Sequence, residues 1–138
     1  MNWLSHFFFY TYIGLVLVAG FWGAFINPYF DFDLLFSFDP HTLNDHVRIN
    51  LLSQYRFLRA LELGFGLFSI LFVKKIFEEK TFNILFLIIM GSGIMARVMS
   101  WMVDGTPNIL SQLFMFYELT GWIFIFISTH KTRTYHAN

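Results

Sequence analysis

Six ionisable side chains stand inside or at the edges of strongly apolar segments: Arg56, Arg59 and Glu62 in one, Arg97 and Asp104 in a second, Glu118 in a third. Left to face hydrocarbon, each would cost about 2.5–3.5 kcal/mol at the centre of a spanning helix, so a sequence that keeps six must pair or hydrate them. Two kinds of chemistry fit such a set. Arginines among carboxylates can receive the headgroup of a lipid or small amphiphile, or dock against a partner membrane protein or a second copy of the chain. Alternatively Glu118 or Glu62 serves as general acid or base of an intramembrane lipid-modifying enzyme, an isomerase or reductase, with an arginine stabilising developing charge. Against both stands a structural reading, in which the charges form a salt-bridge network that fixes helix register while Gly64, Gly66, Gly91 and Gly93 let backbones approach closely.

Other reactive patterns are weak. His41 and His46, near Asp45, have no spacing diagnostic of a metal site, and His6, His130 and His136 flank apolar segments. No phosphate-binding glycine loop, nucleophile elbow or zinc-protease motif occurs. Ser100 and Ser111 lack a nearby histidine inside the membrane, which disfavours a serine hydrolase. Neither metal nor cofactor is expected.

The elements that must carry these residues follow from composition. Of 138 residues, 57% are hydrophobic and 13% charged, with 20 Phe, against a charged fraction of about a quarter in soluble domains. So small a chain cannot hide that much apolar surface from water, and lipid must do so. Formal net charge is zero, so no overall field draws the chain to nucleic acid. There is no Cys, which excludes disulfides and thiolate chemistry.

Four apolar stretches, about 7–26, 57–73, 81–103 and 109–128, are long enough to cross the bilayer. The expected fold is therefore an all-α membrane protein, a four-transmembrane-helix antiparallel bundle forming one domain over 1–138, with a polar-aromatic outer connection at 27–56. Asp39-Pro40 reads as a cap and first helical position, placing the start of the second helix near Pro40. The flank Met1-Asn2-Trp3 has no Lys or Arg and no small-residue cleavage site follows, so the first stretch is expected to be retained. Lys74, Lys75 and Lys80 in the turn, with Lys131 and Arg133 in the tail, belong on the cytoplasmic side, whereas Asp31, Asp33, Asp39, Asp45 and Asp104 mark the other. Both termini are thus expected in the cytoplasm, in a multi-pass protein of a bacterial inner membrane. Trp3, Tyr29, Tyr55 and Trp101 read as interface anchors.

Helical spacing aligns the polar residues on stripes: Arg59, Glu62, Gly66 and Ser69; Gly93, Arg97, Ser100 and Asp104; Ser111, Glu118 and Trp122; and Tyr12, Gly20, Gly23 and Asn27. The expectation is a charged, outward-opening intramembrane cavity with Glu118 at its floor. Arg59 with Gly64 and Gly66, then Arg97-Val98-Met99-Ser100 and Asp104-Gly105-Thr106-Pro107, then Glu118, resemble a bacterial four-helix membrane family catalogued as domain of unknown function 4345. The resemblance covers about Tyr55 to Ser128 and departs at Glu62 and Leu63, where that family is glycine-rich. It implies the fold and the polar cluster, and no activity.

Overall fold

A computed structural model of the protein describes residues 3–136, with side chains described over 3–130. Lys131, Arg133 and His136 of the expected cytoplasmic tail lie outside the described side chains, as Met1 and Asn2 lie outside the described residues. Among the described residues all regular structure is helical: α1 (Trp3–Phe21), a π-helical turn (Trp22–Ile26), α2 (Pro28–Phe36), a 3₁₀ turn (Pro40–Thr42), α3 (Asp45–Leu71), α4 (Val73–Glu78), α5 (Lys80–Val103) and α6 (Ile109–His136).

The boundaries have local causes. Pro28 pushes Asn27 into extended backbone, φ −145° and ψ 92°, which stops the first helix. The Asn27 side chain then accepts hydrogen bonds from the amides of Tyr29 and Phe30, with Pro28 at the first helical position, so the same dipeptide starts α2. Ser37 closes α2 in left-handed backbone, φ 50°, its amide donating to the Asp33 and Phe32 carbonyls. Asn44 caps α3 by accepting from the Val47 amide at 3.0 Å. Gly105, φ 113°, and Pro107 separate α5 from α6, and Asn108 accepts from the Ser111 amide at 2.8 Å.

Among the described residues, three helices, Trp3–Ile26, Lys80–Val103 and Ile109–His130, are long and apolar enough to cross a membrane, which marks the chain as a membrane protein. The expected second span stands apart. At 27 residues α3 is long enough, but Asp45, Arg48, Arg56, Arg59 and Glu62 interrupt its apolar character. The expected connection 27–56 also needs correction: it contains the whole of α2, and α3 starts at Asp45, because Pro40 opens only a single 3₁₀ turn. The lysine-rich turn is largely helical as α4, with Ile76 and Phe77 buried, and α6 runs on past Ser128.

The chain divides into two compact units. One comprises Met1–Tyr12 with Ser69–Asn138, and its core is built on Phe9, Ile76, Phe77, Phe86, Met90 and Ile125. Polar contacts join its helices: Ser5 Oγ donates to Ser128 Oγ at 3.1 Å, Thr129 Oγ1 donates to Asn83 Oδ1 at 3.2 Å, and Thr11 bonds to Tyr117. Trp122 lies across Gly91, where a Cβ would come within 3.2 Å of its Nε1, and donates that N–H to the Leu87 carbonyl at 2.8 Å.

The other unit, Ile13–Phe68, is held by close backbone approach. A Cβ on Gly20 would lie 2.8 Å from the Leu63 amide nitrogen and 3.0 Å from the Arg59 carbonyl oxygen, so only glycine allows α1 this near α3. Gly66 accommodates Leu17 in the same way, with 2.7 Å between a would-be Cβ and Leu17 Cδ2. Gly64 and Gly93, expected to serve close packing, meet nothing within 4 Å, because they face away from neighbouring backbone.

Candidate functional site

Within the unit Ile13–Phe68, the charges of α3 converge on α2 and the π turn. Arg59 Nε donates to Asp31 Oδ2 at 3.0 Å and to Tyr55 Oη at 2.9 Å, and Arg59 Nη1 donates to Glu62 Oε2 at 2.5 Å. Tyr55 Oη in turn donates to Asp31 Oδ2 at 2.9 Å. The guanidinium also lies over the Tyr55 ring, 5.1 Å from its centroid. Arg56 Nη1 donates to the Ala24 carbonyl at 2.5 Å, inside the π turn.

Burial grades this network. Arg59 and Asp31 side chains are 13% and 9% exposed, while Glu62 is 45% exposed. The sealed pair is therefore Arg59–Asp31, with Glu62 at its open edge. Burial raises the Tyr55 hydroxyl above the ordinary tyrosine value; Arg59 opposes that rise and Asp31 reinforces it, so Tyr55 stays a neutral donor. Gly23 completes the arrangement, for a Cβ there would fall 2.5 Å from Asp31 Oδ2 and 2.7 Å from Arg59 Cγ.

Within the unit containing α5 and α6, Arg97 and Glu118 form a fork. Arg97 Nε donates to Glu118 Oε2 at 3.1 Å, and Nη2 donates to Oε1 at 3.4 Å. Two parallel bonds of this kind fix the orientation of both groups as well as their distance. The two side chains differ in exposure, 44% for Arg97 against 15% for Glu118. Arg97 Nη1 donates to no acceptor among the described residues.

Ser100 and Asp104 share the stripe of Arg97 by sequence, yet both are exposed. Asp104 closes α5, its amide donating to the Ser100 carbonyl at 2.7 Å, and no ion pair among the described residues includes it. Trp101 Nε1 donates to Thr106 Oγ1 at 3.3 Å in the turn that follows. Of the six ionisable side chains and Ser100 singled out in the sequence, the structure thus joins Arg59 to Glu62 and Arg97 to Glu118.

The sequence marks Asp31 only as an outer-side acid and Tyr55 only as an interface anchor, yet both bond Arg59. A signal for Asp31 was present. Asn27-Pro28 announces a helix start, and four residues into that helix an acid falls on the face shared with Pro28 and Phe32, all three buried. Among the described residues, no group of three His, Asp or Glu side chains is placed to hold a metal ion.

No curated protein and no solved structure matches the chain. A family model described as domain of unknown function (DUF4345) matches residues 3–128, which take in every residue of both charge clusters. The chain therefore belongs to the DUF4345 family of proteins.

Proposed function

We propose that the protein is a four-span antiparallel bundle of the bacterial inner membrane, with both termini cytoplasmic, which binds a lipid or small amphiphile with an anionic headgroup at Arg97. The carboxyl-terminal part of α3, 57–71, supplies the fourth span, its Arg59 made tolerable by Asp31. Lys74, Lys75 and Lys80 support the orientation.

One observation carries the binding reading: Arg97 keeps an uncommitted guanidinium edge on an otherwise apolar helix. Glu118 pre-orients the fork and leaves Nη1 for a phosphate or carboxylate oxygen, the geometry for which guanidinium is suited. Acid–base catalysis by Glu118 or Glu62 receives less support, since each carboxylate already engages an arginine.

The test is native mass spectrometry of the purified protein, together with its thermal stability as phosphatidylglycerol is added. Arg97→Ala and Glu118→Gln are expected to reduce both the retained anionic lipid and the lipid-dependent gain in stability. Unchanged lipid retention and stabilisation in both variants would overturn the reading. Co-purification of a partner membrane protein that is lost with Arg97→Ala would replace it with docking as a small subunit.

A further inference from the structure

Helix α2 has two unlike sides. Pro28, Asp31 and Phe32 are buried, and Asp31 is held by Tyr55 and Arg59. Phe30 and Leu34, four apart and so on one face, are exposed. Asp33 is exposed on the flank between Tyr29 and Phe30. A soluble loop would have no reason to present Phe and Leu outward on a helix pinned by a buried ion pair.

The surroundings identify what covers that face. The Phe30 ring meets the Trp22 ring at 6.4 Å, edge to face, and Trp22, Phe25 and Ile26 are themselves exposed at the end of the apolar helix Trp3–Ile26. The Phe30–Leu34 face therefore continues the lipid-facing surface of the first span. Nine residues are too few to cross a bilayer. A short helix with one apolar face and a charged flank is suited to the headgroup–acyl boundary.

We infer that α2 is an interfacial helix, lying at the membrane surface where the first span ends. Lipid occupies its Phe30–Leu34 face, Asp33 faces the aqueous side, and Asp31 is the pin that fixes its rotation. The surface is distinct from the Arg97–Glu118 fork, and its placement does not depend on which leaflet it meets.

The chain has no Cys, so single cysteines carrying a nitroxide label report one site each. Phe30→Cys, Leu34→Cys and Asp33→Cys are reconstituted in phosphatidylethanolamine–phosphatidylglycerol vesicles. Collisions with oxygen, which partitions into acyl chains, are compared with those of a water-soluble nickel chelate. Labels at 30 and 34 are expected to favour oxygen, and the label at 33 to favour the chelate. A label at 34 that favours the chelate, or is closed to both relaxants because protein covers it, would overturn the inference. Val18→Cys, exposed on the first span, separates this failure from loss of the membrane reading: it favours oxygen as long as the span itself crosses lipid. Each substituted side chain is exposed, and position 34 alone suffices should Phe30→Cys fold poorly.

Discussion

Asp31 and Arg59, separated by 28 positions, meet at 3.0 Å with both side chains nearly sealed from solvent. Their contact ties α2 to the charged middle of α3, and Tyr55 bonds to both. A buried arginine whose counter-ion is removed is left with its desolvation penalty, which is why such pairs break expensively.

Asp31→Ala should accordingly destabilise the protein by on the order of 2 kcal/mol, less than the loss of a sole counter-ion because Glu62 stays on Arg59. Tyr55→Phe should remove about 1 kcal/mol, the worth of an ordinary hydrogen bond, because Arg59 keeps its carboxylate. Unfolding in mild detergent titrated with dodecyl sulfate measures both. The double variant should lose less than the sum, since the two side chains share one partner.

Glycine substitutions should separate close approach from open space. Gly23→Ala drives a methyl group onto Asp31 Oδ2 and Arg59 Cγ, and overpacking of that kind costs about 1–3 kcal/mol. Gly64→Ala meets nothing within 4 Å and should be neutral or stabilising by up to about 1 kcal/mol through helix propensity. The same titration reads both, and equal effects would mean that Gly23 is not a contact residue.

At Arg97–Glu118 the fork predicts that lysine is no substitute. Arg97→Lys preserves charge but not the parallel bonds, so it should weaken both the coupling to Glu118 and retention of anionic lipid. The partial exposure of Arg97 limits the coupling to about 1 kcal/mol. A double-mutant cycle with Glu118→Gln measures it, and a coupling retained in full with lysine would show that charge alone matters.

Orientation has its own measurement. With the lysine-rich α4 inside, a label-accessible Lys74→Cys should react with a membrane-impermeant maleimide only after the cells are opened. His46→Cys, at the start of α3, should react in intact spheroplasts. The reverse order of labelling would invert the orientation.

The residue pattern was sufficient to identify a membrane protein: Phe, Leu and Ile in excess of what a small chain can bury, broken by a few charges, leave lipid as the solvent. The resemblance to the family rested instead on Arg97, Asp104-Gly105-Thr106-Pro107 and Glu118, and the family match bears it out. The pattern was sufficient too for α5, whose expected bounds agree with Lys80–Val103 to within a residue, since a long uninterrupted apolar run permits little else. It also put Gly20 and Gly23 on one side of the first helix, where both press against Arg59 or its backbone.

Which charges meet was a different matter. Helical spacing places Arg59, Glu62, Arg97, Asp104 and Glu118 on faces, but a face does not choose its neighbour; that choice depends on how helices pack and on the connections between them. Asp31 pairs with Arg59 only because Asn27-Pro28 ends one helix and starts another, turning a short segment back onto α3. Arg97 takes Glu118 while Asp104, on the same stripe, ends its helix in the open. Pairing is decided by three-dimensional distance, which a one-dimensional period of residues does not contain.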